Sequence, residues 1–332
     1  MNSPTSYTAL VVRESTENRF ERGIEALPFS FLPEHDVTIR VEAAALNYKD
    51  ALSAHGHKGI TRQYPHTPGV DAAGYVVDDC SGRFAHGTPV ICTSYDLGMN
   101  TPGGFAEYIR VPADWIVQRP SSMDAFQAMV FGTAAYTAAL ALWKMERCGQ
   151  SPEMGPIAVT GATGGVGSLA VALLAHAGYK VIAITGSLDQ HNYLRALGAT
   201  EILPREEAND TGGRLLLRPK WAGAIDNVGG NTLTTLLKAC GRNGSVASIG
   251  LVGSPDFSAT VYPFILNGVN LLGVDSAETP RAIREEIWRR LANEWAFSLP
   301  KEAVTETTLS AIPKFMEAIL NGKTTGRVVA RI

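Results

Sequence analysis

Cysteine is scarce in this chain. The four that occur, Cys80, Cys92, Cys148 and Cys240, stand far apart, with no CxxC pair and no Cys/His cluster. Neither a disulfide framework nor a zinc knuckle is suggested, and a reducing cytoplasm is the expected compartment. A surplus of one charge is missing too. Lysine and arginine number 29 against 32 acidic residues, net −3, with the basic residues scattered, which gives no electrostatic reason to expect nucleic acid or an anionic membrane as partner. Small molecules are the expected partners. The N-terminal MNSPTSYTALVV carries no basic segment followed by a long apolar core, and the most apolar later run is interrupted by His176, Gly178 and Lys180. No export signal or membrane span is expected. Internal repeats and low-complexity tracts are absent as well.

What is present is a composition able to bury a core. Hydrophobic residues make up 45% and charged residues 18% of 332, more chain than one core accommodates, so two lobes with a cleft between them are expected. Residues 9–120 read as short β-type runs such as VTIRVEAAAL and AAGYVVDDC, separated by the turn-rich QYPHTPGVD and NTPGGF. After Ser122 comes a long helical pattern, DAFQAMVFGTAAYTAALALWKM, and then the short apolar runs IAVTG, KVIAIT, TEIL, WAGAIDNV and GSVASIGLVG. Helical patterns, SLAVALLAHAG and LDQHNYLRALG among them, lie between those runs, which predicts βαβ units and a parallel sheet covered on both faces. Residues 279–295 form a charged amphipathic pattern, and TTGRVVARI reads as a strand returning to the first lobe.

The stretch VTGATGGVG joins one apolar run to a long helical one. A phosphate-binding strand-turn-helix needs glycine at the tight turn, glycine where backbone meets pyrophosphate and glycine where helix meets strand. Here the pattern is Ala162-x-Gly164-x-x-Gly167, with Gly161 and Gly165 adding space, and the helix start can face an anion. A plain βα turn and a methyltransferase loop are the competing readings. A P-loop is excluded, since Gly-Lys-Ser/Thr is missing. At the end of the next strand an NAD site usually carries Asp or Glu for the ribose hydroxyls, and this chain has Thr185, Gly186 and Ser187. That leaves room for a 2′-phosphate and favours NADPH, with Arg205 as the best available cation unless it is a solvated surface arginine.

The motifs LNYKDAL, PHTPGVDAAGYV, GGFAEYIRVPADW, FGTAAYTAAL, GATGGVG, WAGAIDNVGG, PFILNGVNLLGVDS and the terminal GR cover nearly the whole chain. Together they resemble the zinc-independent branch of the medium-chain dehydrogenase/reductase superfamily, the quinone-oxidoreductase-like proteins. LNYKDAL, FGTAAYTA and GVDS are most similar to the bacterial NADPH-dependent acrylyl-CoA reductase group. The resemblance implies an α/β protein with a GroES-like β-rich catalytic domain over residues 1–121, completed by 277–332, and a Rossmann doubly wound parallel-sheet domain over 122–276. It also implies a cofactor in the cleft and a homodimer. In the zinc alcohol dehydrogenases the places of Asn47, Val70 and Phe131 hold Cys, His and Cys; valine and phenylalanine cannot ligate a metal. The four-cysteine loop is also missing, so no metal is expected. In close relatives an arginine commonly stands at the place of Ser187, and NADPH preference is correspondingly looser here.

The same resemblance implies an NADPH-dependent reductase of an activated carbon-carbon double bond, acrylyl-CoA to propanoyl-CoA first. A quinone or 2-alkenal reductase, or an NADPH-binding sensor without turnover, are the alternatives. It carries Thr163, Gly164, Gly165 and Val166 onto the pyrophosphate, and Thr185, Gly186, Ser187 and Arg205 onto the adenosine end. Leu251, Ile265, Ser276 and Asn321 go to the nicotinamide side and its surroundings; without it Leu251 and Ile265 read as core. Tyr48 is placed beside the nicotinamide as a catalytic donor or orienting group, with packing as the other account. Asp50 reads as structural, Asp226 and Asn227 as ligand-facing or loop-capping, and His55, His57 and His66 as loop histidines. Lys49, Lys58 and Arg62 are candidate cations for coenzyme A.

Overall fold

A computed structural model describes residues 5–16 and 18–332. In chain order the main elements are strands β1 (Ser6–Thr16), β2 (Arg19–Pro28) and β3 (Val37–Ala45), helix α1 (Tyr48–Ala54), strands β4 (Asp71–Asp79), β5 (Pro89–Thr93), β6 (Tyr108–Val111) and β7 (Ile116–Gln118), and helix α2 (Ala125–Arg147). There follow β8 (Ile157–Thr160), α3 (Gly165–His176), β9 (Val181–Thr185), α4 (His191–Ala196), β10 (Glu201–Pro204), β11 (Gly223–Asp226), α5 (Gly230–Lys238), β12 (Ser245–Ser248), α6 (Tyr262–Asn267) and β13 (Asn270–Gly273). The last elements are α7 (Arg281–Ala292), β14 (Val304–Thr308), α8 (Ile312–Leu320) and β15 (Arg327–Arg331). The chain divides into two compact units: Met1–Thr133, Ala277–Ala292 and Val304–Ile332 make the first, Ala134–Ser276 and Asn293–Ala303 the second.

The first unit is β-rich. A hairpin of β1 and β2 accompanies a seven-stranded sheet in the order β14-β15-β3-β4-β5-β7, with β6 paired to β3. Strand β3 shows why these residues form a sheet: Arg40 and Glu42 are exposed while Ile39, Val41 and Ala43 are buried, the period of two that a one-sided strand requires. The expected return of the C-terminus to the first lobe is present, because β15 pairs antiparallel with β3 through Val329–Ala45, Ala330–Ala44 and Arg331–Ala43. Helices α1 and α8 belong to the same core, which joins Ala51 and Ala54 to Ile312 and Met316.

The second unit contains a six-stranded sheet ordered β10-β9-β8-β11-β12-β13, with every pairing parallel. Counted from β8 that order is 3-2-1-4-5-6, the doubly wound Rossmann arrangement, and its switch point lies between β8 and β11. All residues of β8, β9 and β11 are buried, as strands covered on both faces should be. Trp221 anchors the packing, its indole N–H donating to the Leu236 carbonyl at 2.9 Å. The run LDQHNYLRALG is helical only over α4, after one 3-10 turn, and the amphipathic run 279–295 over α7.

Helix α2 is the one described helix long and apolar enough to cross a membrane, but it is mostly buried within the fold. It is broken at Gly132, whose φ of 48° and ψ of −155° interrupt the helical ladder. A side chain there would strike the Asp71 carboxylate and stand 2.9 Å from the Arg327 guanidinium.

Candidate functional site

At the switch point of the second unit the glycines divide their duties. Gly161 takes φ 58°, the left-handed conformation that the tight turn after β8 demands. The pattern put alanine in that role, but Ala162 is buried and follows the turn. Gly164 N donates to the Gly161 carbonyl at 3.0 Å and closes the loop. A Cβ on Gly167 would overlap the Gly161 carbonyl oxygen and come within 2.9 Å of the Ala162 Cα, so α3 meets the loop only because residue 167 has no side chain. Gly164 is the N-cap of α3 and supplies no side-chain cap. The first N–H groups of this twelve-residue helix therefore turn toward whatever anion the loop admits.

Asp226 and Asn227 tie the two sides of the switch point together. Thr160 Oγ1 donates to Asp226 Oδ1 at 2.6 Å, and Asn227 Nδ2 donates to the Thr160 carbonyl at 2.8 Å. Asp226 Oδ2 accepts from Gly229 N at 2.8 Å. Burial raises the Asp226 carboxyl above its ordinary value, while Thr160 and the two loop amides pull it back. Of the two readings open for this pair, loop-capping is the role these bonds describe.

The strand end where a carboxylate would hold a ribose carries Thr185, Gly186 and Ser187, and the Thr185 hydroxyl accepts from Ser187 N at 3.0 Å. Arg205 lies directly over Gly186, so that a Cβ on residue 186 would collide with the guanidinium. Arg205 is exposed and has no ion-pair partner among the described residues. Glycine backbone, hydroxyls and an uncommitted guanidinium with no acid between them fit a phosphate ester. Leu251 and Ile265 are 65% and 68% exposed, so they are not core residues. Ser276 is half-buried at the end of the unit.

In the first unit Tyr48 opens α1 and is 44% exposed, which excludes the packing account. Asn321 is exposed at the C-terminus of α8, its side-chain amide donating to the Glu317 carbonyl at 2.8 Å. Lys58 is committed: it pairs with Glu14 at 2.9 Å and lies over the rings of Phe20 and Tyr64. Lys49 and Arg62 are exposed. His55 bonds the Ala51 carbonyl at 2.8 Å, whereas His66, in the loop before β4, is buried, and burial depresses its basicity.

Asn47, next to Tyr48 in sequence, joins a buried charge cluster that the sequence did not disclose. Asp71 and Arg327 pair at 3.6 Å with side chains 0% and 2% exposed. The break at Gly132 explains their position. Both charges meet the backbone of α2 on either side of that break. Arg327 donates to the carbonyls of Val130 at 3.0 Å and Met129 at 3.4 Å. Asp71 accepts Thr133 N at 2.9 Å and the Thr133 hydroxyl. Asn47 Nδ2 donates to Asp71 Oδ2 at 2.8 Å, and Arg327 donates to Asn47 Oδ1 at 3.3 Å. Asp50, fully buried beside them, accepts backbone N–H from Asn47 at 2.7 Å, Val70 at 2.8 Å and Gly69 at 3.1 Å. Burial pushes its carboxyl up to about 7 against those three donors, and the negative Asp71 adds to the rise. Val70 and Phe131 are buried apolar neighbours in sequence of this cluster. Among the described residues no group of three or more His, Cys, Asp or Glu is placed to hold a metal.

A β-rich unit joined to a doubly wound sheet with a glycine-lined switch point defines an oxidoreductase built from a GroES-like and a Rossmann domain. Residues 33–121 match the alcohol dehydrogenase GroES-like domain and residues 165–293 the zinc-binding dehydrogenase family. The chain belongs to the medium-chain dehydrogenase/reductase family, as the sequence motifs implied. It is 42% identical to the acrylyl-CoA reductase AcuI of Ruegeria pomeroyi, across 98% of this chain and 99% of that one. The solved yhdH oxidoreductase of Salmonella enterica, in complex with NADP, superposes with a TM-score of 0.93 at 42% identity, covering 98% and 99% of the two chains. The yhfP protein of Bacillus subtilis, solved with NAD bound, gives a TM-score of 0.95 at 40% identity over 99% and 100%.

Proposed function

We propose that the protein reduces an activated carbon-carbon double bond with NADPH, acrylyl-CoA to propanoyl-CoA being the preferred reaction. Arg205 over the Gly186 backbone, with no acid at the end of β9, is the observation that carries the cofactor assignment. The substrate assignment rests on the likeness to AcuI. Thr163, Gly164, Gly165 and Val166 would hold the pyrophosphate, Thr185, Gly186, Ser187 and Arg205 the adenosine 2′-phosphate, and Leu251, Ile265, Ser276, Tyr48 and Asn321 the nicotinamide side and its surroundings. The working domains are 1–121 with 277–332, and 122–276.

When bound there, NADPH would supply the hydride that the β-carbon of a conjugated acceptor takes up. Tyr48 would donate a hydrogen bond to the thioester carbonyl oxygen, where negative charge accumulates, and the resulting enolate is completed to the saturated thioester by uptake of one proton at its α-carbon. No side-chain nucleophile is required.

Arg205→Ala should weaken NADPH binding far more than NADH binding, because a charge-assisted hydrogen bond is worth about 1.5 to 3 kcal/mol. Fluorescence titration with both cofactors reads the difference, and equal weakening would place Arg205 elsewhere. Steady-state NADPH oxidation with acrylyl-CoA, free acrylate, a quinone and no acceptor tests the reaction. The thioester should turn over and the free acid should be nearly inert, since a carboxylate is a poor electrophile and lacks the coenzyme whose binding energy positions the alkene. Tyr48→Phe should lower kcat on the order of 10²-fold. Faster turnover of quinone than of thioester would mark a quinone or alkenal reductase, and no turnover of any acceptor a sensor.

We further propose a homodimer in a reducing cytoplasm. Strand β13 pairs only with β12 among the described strands, and Val252, Val261, Tyr262, Leu266 and Leu271 are exposed on the loop, helix and strand around that edge. All four cysteines are free. Sedimentation at micromolar concentration reads the oligomeric state; a monomer there would exclude the dimer.

A further inference from the structure

Tyr48 is an exposed ring with no hydrogen bond of its own among the described residues, so the placement of its hydroxyl has to be set by the backbone it stands on. That backbone is unusually constrained. Asn47, the N-cap of α1, has extended φ and ψ of −125° and 162°, and its side chain makes no cap bond to the helix. Its main-chain N–H is held by Asp50, and Asp50 is in turn anchored to the amides of Gly69 and Val70. The Asn47 side-chain amide is read at both ends: Nδ2 donates to Asp71 at 2.8 Å and to the Ala45 carbonyl at 3.3 Å, while Oδ1 accepts from Arg327. An acceptor on one side and a cation on the other admit only one orientation of that amide. Asp71 is itself pinned by Thr133 and Arg327.

We infer that Asp71 is a positioning residue for Tyr48, acting through the Asn47 amide to fix the first turn of α1. A misplacement of about 1 Å is enough to cost on the order of 10²-fold in rate. The inference rests on the donor role proposed for Tyr48.

The test is a double-mutant cycle on the full-length enzyme. Asn47→Ser places a residue favoured at helix N-caps but too short to span to Asp71; Asp71→Asn replaces an acceptor facing Asn47 with an amide, and serves as the second probe. Asn47→Ser is expected to lower kcat about tenfold and to add no further loss in the Tyr48→Phe background. A loss of the same size in both backgrounds, or no loss at all, overturns the positioning role. Unchanged kcat in Tyr48→Phe alone overturns instead the donor role on which it stands. An independent readout comes from ring-labelled tyrosine spectra without cofactor. The Tyr48 resonance, assigned by its absence in Tyr48→Phe, should shift and broaden in Asn47→Ser, and an unmoved resonance also refutes the coupling.

Discussion

Gly167→Ala is expected to destabilise the second unit by about 3 kcal/mol, at the upper end of what overpacking costs. The new Cβ has no space, because the neighbours it meets are the Gly161 carbonyl oxygen and the Ala162 Cα, both backbone atoms of a loop already held at φ 58°. Relief requires moving α3 away from the loop, which also disperses the N–H groups proposed to face the pyrophosphate. NADPH affinity should therefore fall together with stability. Gly164→Ala separates the two effects. Its Cβ would stand 3.4 Å from the Gly161 carbonyl oxygen, and its φ of −74° suits any residue. Its thermal midpoint should stay close to wild type, while the methyl group would occupy the place proposed for contact between backbone and pyrophosphate, so that NADPH binding alone is weakened. Gly213→Ala, with open space around it, is the control and should change neither. Thermal unfolding and cofactor titration of the three variants decide the matter. A Gly164→Ala protein binding NADPH as well as wild type would remove the pyrophosphate from this loop.

The legibility of that loop in the sequence has a physical reason. A strand of four buried residues, a turn and a helix are contiguous, so steric requirements that act between neighbours appear as spacing between glycines. Only the assignment of the turn to Gly161 rather than Ala162 needed coordinates, since spacing does not report the sign of φ. The parallel sheet was legible for a similar cause: strands covered on both faces must be largely apolar, and IAVT and VIAIT are so up to their final threonine. Strand β14 escaped because VTETT is mostly exposed and carries no apolar run. Helix α1 escaped although its signature is present, Asn47 followed three residues later by Asp50, because seven residues are too few to show a helical period.

The charge cluster was not legible in the same way. Asp71 opens the strand DAAGYVVDD, directly before a mostly apolar run, and a buried acid must be paired. That much could have been drawn from the sequence. Its partner could not, because Arg327 lies near the other end of the chain and meets it only when β15 joins β3. Leu251 and Ile265 show the converse limit. Leucine and isoleucine read as core by type, and only the fold shows that both stand at the surface.

Arg327→Met is the substitution expected to reveal how that cluster is balanced. Methionine fills much of the space but leaves Asp71 and Asp50 buried with no cation, and removing one partner of a buried pair typically costs about 3 to 5 kcal/mol. Carbonyls of Met129 and Val130 lose their donor in the same step. The sign of the pH dependence follows from the carboxyls. Burial already raises Asp71 above its ordinary value, and the Arg327 charge is the foremost influence pulling it back; without that charge it rises further. Asp50 stands at about 7 in the intact protein, with Arg327 near it. A carboxyl whose folded-state value lies above its unfolded one favours the fold below the unfolded value and loses that advantage as pH rises through the folded one. The deficit of Arg327→Met relative to wild type should accordingly be largest at pH 8 and shrink as pH falls toward 5, where the stranded carboxyls take up protons. Urea unfolding of both proteins at several pH values measures it. A deficit that stays constant over this range would mean that Arg327 contributes through its hydrogen bonds to the broken helix alone, and that the two acids are not stabilised by its charge.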